Sequence, residues 1–277
     1  MEKGCLCFRI FNKNTIVKNI NLKTLLFLGS ILLSIISLGA NHNQNKNWSL
    51  TFDQKSKTLA FKYKNKDILR GAAVRFKISD HYVITCGYPK IGLTTSSING
   101  DKMGKGEKII YSYSGLKDYL NVEQIFYLYE NLPYILAEVY LIATDKIRSN
   151  HIAPIVTKKI NTFLKEDNTN RILTVPYDND NFVSYLSHPL SVEDISSEIT
   201  AVFNGRNRHG FIARLVEHDT WKTGIHYSTI NNSSINYQEI FGGLANKLTR
   251  DINDNQRQET IFQCSSSRCQ NIQDTSQ

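Results

Sequence analysis

Apolar and polar residues alternate along most of this chain, and that period of two constrains the fold more than any other feature. A strand points successive side chains to opposite faces, so alternation marks a sheet with one buried and one wet face. "KTLAFKYK" (57–64) puts Leu59, Phe61 and Tyr63 on one face. "AVRFKIS" (73–79) sets Val74, Phe76 and Ile78 against Arg75 and Lys77, and "KIIYSYS" (108–114) does the same with Ile109, Tyr111 and Tyr113. "EQIFYLYENLPYILAEVYLIAT" (123–144) reads as two strands broken at Asn131, Leu132 and Pro133, rich in residues that favour a pleated surface. "RILTVPY", "SEITAVF", "GFIARLVEH" and "WKTGIHYS" continue the series. Helical period is scarce, and only "LSVEDISSE" (190–198) is expected to form a short helical turn.

Strand-sized runs separated by Asn, Asp, Gly and Ser clusters, with hardly any βα rhythm, predict an all-β chain. The spacing implies about ten or more strands, so the expectation is a large antiparallel β-sandwich over residues 41–250. No internal repeat is visible.

The two ends read differently. Residues 1–40 begin with Lys3, Arg9, Lys13, Lys18 and Lys23, continue into the apolar run "LLFLGSILLSIISL" (25–38), and close on Gly39 and Ala40. Basic, then apolar, then small is the order of a signal peptide. Fourteen apolar-run residues fall short of the roughly 20 that cross a bilayer as a helix, so no stable membrane anchor is expected. The expected destination is export, periplasmic or secreted. Residues 251–277 are polar and rich in Gln, Asn and Ser, with one apolar pair, Ile261 and Phe262. Such a composition predicts a disordered polar tail, because little apolar surface is available to offset ordering entropy.

The leader also explains the charge. The formal net charge is +8, and half of it sits in the first forty residues. The remainder is thinly spread with no Lys/Arg stripe, which argues against nucleic acid as a partner. Cys86, Cys264 and Cys269 lie beyond the leader. Cys264 and Cys269 are close enough in sequence to close a small loop, leaving Cys86 as a buried thiol. Three scattered cysteines make neither a disulfide scaffold nor a zinc site.

One stretch concentrates chemistry. "RHGFIARLVEHDTWKTGIHYS" (208–228) places Glu217, His218, Asp219, Trp221 and Lys222 together. Adjacent strand residues point to opposite faces, so His218 and Asp219 do not readily chelate one ion, and no metal or cofactor is expected. Glu217 and Asp219 have a spacing compatible with paired-carboxylate glycoside chemistry, about 5–10 Å. On one strand, however, both leave the same surface instead of facing each other across a cleft, so no catalytic residue is assigned. Trp221, flanked by Asp219 and Lys222, suits stacking on a pyranose ring. It suits a core position equally. "VPYDNDNFVSY" (175–185) supplies Asp178 and Asp180 in a D-x-D that lacks the glycine and distal glutamate of a calcium loop. It reads as a turn or a binding loop. Asp178, Asp180, Asp219, Trp221 and Lys222 are therefore the candidate substrate-binding residues.

The order of segments also carries a resemblance. "EQIFYLYENLPYILAEVYLIATDKIRSNHIAPI", "RILTVPYDNDNFVSY" and "SSEITAVFNGRNRHGFIARLVEHDTWKTGI" resemble the amino-terminal β-sandwich of secreted bacterial α-galactosidase and raffinose-synthase-like glycoside hydrolases. The likeness covers roughly residues 48–250 and is strongest over 149–225, in phrases such as "SNHIAP", "VPYDNDN" and "EHDTWKTG". It implies carbohydrate metabolism, with a galactoside-type carbohydrate or a glycoside hydrolase barrel as partner. In that group the catalytic aspartates belong to a (β/α)8 barrel after the sandwich, so no residue here inherits a catalytic role. The resemblance implies a chain inactive alone, either truncated before its barrel or standing alone. The competing expectation is a free-standing exported carbohydrate-binding or surface-interaction module.

Overall fold

A computed structural model describes residues 42–44, 47–78, 81–117, 119–143, 147–157, 164, 168–176, 185–190, 194–216, 222–231, 234–243, 250–252 and 256–265. The chain opens with strands β1 (His42–Gln44), β2 (Trp48–Asp53), β3 (Thr58–Tyr63), β4 (Lys66–Ile78) and β5 (His81–Ile84). A 3-10 turn at Thr85–Gly87 leads to β6 (Lys90–Asp101), β7 (Gly104–Ser114), β8 (Asn121–Tyr129), β9 (Tyr134–Ile142) and β10 (Ile147–Ser149). Then come β11 (His151–Thr157), β12 (Asn170–Thr174), β13 (Leu186–Pro189), β14 (Asp194–Ser197) and β15 (Ile199–Asn204). The series ends with β16 (Gly210–Leu215), β17 (Lys222–Asn231), β18 (Ser234–Gly243), β19 (Arg250–Ile252) and β20 (Gln256–Ser265).

These strands form two nine-stranded sheets and a small pair. Sheet 1 runs β1-β2-β3-β4-β11-β18-β17-β14, with β5 also on β4. Sheet 2 runs β13-β12-β15-β16-β20-β9-β8-β7-β6, and β10 pairs with β19. The pairings between named strands are antiparallel throughout, as the alternating pattern requires. Local sequence fixes the hairpins. Lys64 and Asn65 both have positive φ, 46° and 63°, which makes the two-residue connection between β3 and β4 a primed turn matched to strand twist.

Alternation translates directly into burial. Leu59, Phe61 and Tyr63 of β3, Val74 and Phe76 of β4, and Ile109, Tyr111 and Tyr113 of β7 are all buried. They join one core with Val122, Phe126 and Leu128 of β8 and Ile135, Ala137, Val139 and Leu141 of β9. Ring contacts bridge the sheets: Phe61 meets Phe126 edge-on at 5.4 Å, and Phe52 stacks on Tyr111 at 5.4 Å. Each such side chain contributes about 1.5–3 kcal/mol by burial. Gln124 adds a polar tie, since its Nε2 donates to the Pro154 carbonyl of sheet 1 at 3.0 Å while its Oε1 accepts from Tyr113 at 3.1 Å. The expected all-β antiparallel sandwich is the observed fold.

Two local expectations change. Asp194–Ser197, within the stretch expected as a helical turn, is a strand paired with Gly224–Tyr227 of β17. Pairing along a sheet edge outweighs the weak local preference of that polar segment. Within residues 251–277 the described segment Gln256–Ser265 forms β20, which lies between β16 and β9 and pairs with both. Its backbone completes two ladders at once, and that pairing offsets the ordering entropy which its composition alone does not. Residues 266–277 lie outside the described residues, as do the leader 1–40 and Cys269. Cys86 is free and half-buried, more accessible than the buried thiol expected.

Candidate functional site

Among the residues proposed from sequence, Asp178, Asp180, Asp219 and Trp221 lie outside the described residues, together with Glu217 and His218. Lys222 is described: it opens β17, is half-buried, and stands opposite Gly243. The described anchors of the two segments converge. Pro176, before the first, bridges Ser196, and the Val175 amide donates to Ser196 Oγ at 2.9 Å. Leu215, before the second, donates its amide to the Glu198 carbonyl at 2.9 Å, and Gly224, after it, pairs with Ser197. The corner Ser196–Glu198 therefore holds the approach to both.

The outer face of sheet 1 carries a cluster that sequence reasoning did not single out. Arg75 alternates with the fully buried Val74 and Phe76 on β4, so it points away from the core. On the same face Glu239 of β18 is a carboxylate with only 3% of its side chain exposed. Arg75 grips it with two donors, Nε to Oε1 at 2.7 Å and a terminal nitrogen to Oε2. His151 of β11 completes the group, its Nε2 lying 2.9 Å from Oε1. An ionised carboxylate only accepts, so Nε2 carries the proton. The His151 ring stacks on Phe241 at 5.0 Å.

Tyr82 stands over this group. It is 56% exposed on the short β5, opposite Lys77. The Arg75 guanidinium lies 4.7 Å from its ring centroid, the Lys77 ammonium 6.0 Å, and the His151 ring meets it edge-on at 5.4 Å. His226 sits opposite Glu239 on β17, and Lys222 lies four residues earlier on the same strand face. The result is an exposed ring held in place by a cation, an imidazole and a buried anion, with Lys77 and Lys222 on the same sheet face.

That arrangement suits binding more than proton transfer. Both Glu239 oxygens are already occupied and screened from water, which leaves the carboxylate to orient Arg75 and His151. A fixed aromatic face beside hydrogen-bonding side chains is how proteins engage the apolar side of a sugar ring. Sequence held partial signals of the cluster. His151 lies inside "SNHIAP", Arg75 reads only as the polar half of an alternating strand, and Glu239 lies far away in "NYQEIFGG". Only pairing of β4, β11 and β18 brings them together. Among the described residues no group of three or more His, Cys, Asp or Glu side chains is placed to hold a metal ion. No helix among them is long and apolar enough to cross a membrane.

No family model matches the sequence, and no curated protein matches it either. Solved structures do match in fold. The α-N-acetylgalactosaminidase of Bifidobacterium bifidum, in complex with GalNAc, superposes with a TM-score of 0.54 at 12% identity, over 82% of this chain and 36% of its own. The GH36 α-galactosidase AgaA of Geobacillus stearothermophilus gives a TM-score of 0.56 at 10% identity, over 83% of this chain and 41% of its own. AgaB of the same organism gives 0.54 at 9% identity, over 82% and 40%. The chain thus spans well under half the length of the glycosidases it resembles. It has the fold of part of a GH36-type glycosidase, in agreement with the resemblance read from its sequence.

Proposed function

We propose that this chain is the non-catalytic sandwich of an exported α-galactosidase-like glycoside hydrolase, presenting a carbohydrate-facing surface around Tyr82. The observation that carries the reading is the fold match, which takes in over four-fifths of this chain but about two-fifths or less of each glycosidase. The site agrees with it: the buried carboxylate is tied to Arg75 and His151, and the exposed element is an aromatic ring. Galactoside-type sugar is the expected ligand class, and a glycoside hydrolase barrel the expected partner domain. Purified chain is expected to release no galactose from an aryl α-galactoside above background, and to be retarded on immobilised α-galactosides. Release of galactose at an enzymatic rate would overturn the non-catalytic assignment. Tyr82→Ala is expected to weaken glycan retention about tenfold, which corresponds to the ~1.4 kcal/mol scale of one aromatic contact. Its cost in stability should stay near about 1 kcal/mol, the scale of the exposed cation–π contact with Arg75 that it removes.

The exposed Tyr82 platform also supports a second reading, a free-standing carbohydrate-binding module. The reading frame downstream of the gene separates the two: a barrel-coding frame supports the hydrolase component, and an unrelated gene supports the module. Export belongs to both readings. The basic leader and short apolar run predict cleavage near Gly39 or Ala40. Amino-terminal sequencing of protein outside the cytoplasm checks it, and an intact Met1 there would count against cleavage.

A further inference from the structure

The edges of the two sheets are unlike one another. Sheet 1 ends in β1, of three residues, and β14, of four; sheet 2 ends on one side in β13, four residues closing on Pro189. Short strands and proline are the usual protection of an edge against pairing with another chain. The other end of sheet 2 is β6, twelve residues long, with β7 as its single partner among the described strands. No charged residue and no proline interrupts it between Ile91 and Gly100, and Thr94, Thr95, Ser96 and Ser97 at its middle are all exposed.

The strand is also held ready. Its register with β7 runs without a break from Lys90 to Ile98. The turn beyond it is fixed by Asp101, whose Oδ1 accepts from the amides of Met103 at 2.7 Å and Gly104 at 3.1 Å. Asp101 Oδ2 accepts from the Tyr129 hydroxyl of β8 at 2.7 Å. An extended edge with its backbone groups aligned needs little further ordering to accept a strand.

We infer that β6 is a self-association edge, pairing antiparallel with β6 of a second copy of this chain and joining the two copies of sheet 2 into one continuous sheet. A second copy is the favoured occupant because the strand complements itself. A two-fold axis places one residue of an antiparallel ladder opposite its own image, and here that residue is Thr95 or Ser96. Its neighbours are then hydroxyl side chains facing hydroxyl side chains, a pairing that stabilises cross-strand contact. No like charges meet at the centre, since Lys90 and Asp101 lie at opposite ends of the strand.

Sedimentation of the full chain over a range of concentrations tests this, with Thr95→Lys and Thr95→Glu as variants. The wild type should move from monomer to twice the monomer mass as concentration rises. Each variant should remain monomeric with unchanged circular dichroism, because like charges then face each other near the axis. Mixing the two variants should restore a dimer. Amide exchange on the wild type gives a second readout: alternate amides of residues 90–101 should gain protection with concentration. A chain that stays monomeric to its solubility limit overturns the inference. So does a dimer that survives Thr95→Lys, a variant mixture that does not associate, or concentration-dependent protection confined to other strands.

Discussion

Glu239 is a buried carboxylate on the outer face of sheet 1, ion-paired with Arg75 and hydrogen-bonded by His151. Breaking a buried ion pair on one side leaves a charge without compensation, at about 3–5 kcal/mol. Arg75 retains 28% side-chain exposure, so the low end of that range applies. Glu239→Gln is expected to lower unfolding stability by about 3 kcal/mol in urea titrations. Arg75→Met combined with Glu239→Gln should lose less than the sum of the single changes, since the two groups act through one another. Additive losses would separate them. Nothing in "AVRFKIS" distinguishes an arginine that orients an aromatic ring from one that only faces water. The distinction comes from a partner 164 residues away in sequence.

Strand elements were legible wherever alternation was regular. The break at Asn131 to Pro133 separates β8 from β9, and β3, β4, β7, β15, β16 and β17 fall on the quoted runs. Burial on one face leaves that periodic trace. The polar segment after Arg250 leaves none, because β20 is recruited by the backbones on either side of it. Its register runs from Gly210↔Ser265 on β16 and from Gln256↔Leu141 on β9. The consequence is testable by truncation. Ending the chain after residue 265 should leave the thermal transition unchanged, whereas ending it after residue 252 removes a strand from the interior of sheet 2. A loss of even ~5 kcal/mol lowers Tm by roughly 10–20 °C in a domain of this size. Equal melting of the two truncated chains would show that β20 contributes nothing to stability.

At the scale of the molecule, composition and period supplied the class of fold, while the order of strands in each sheet depends on long-range closure that no local pattern encodes. Buried tyrosines reinforce that closure. Tyr88, just after β5, donates its hydroxyl to the Leu120 carbonyl ahead of β8 at 2.6 Å, and Tyr113 reaches sheet 1 through Gln124 and Pro154. Tyr129 binds Asp101 at the tip of the β6–β7 hairpin. Burial, as the largest cause, pushes all three hydroxyls well above the ordinary tyrosine value of 10.0, with the Asp101 contact adding to it for Tyr129. The sign of the linkage follows. Above about pH 10 the unfolded chain releases these protons while the folded chain keeps them. Stability contributed by these groups is therefore fully present below pH 10.0 and is lost as pH rises toward the raised folded values. Urea unfolding is expected to show a falling midpoint through the alkaline range, with Tyr113→Phe reducing the slope. At neutral pH the same variant should cost about 1 kcal/mol or somewhat more, because Gln124 Oε1 loses its donor inside the core. If Tyr113→Phe leaves the alkaline slope as it was, the tyrosine link between the sheets is not what the pH reads.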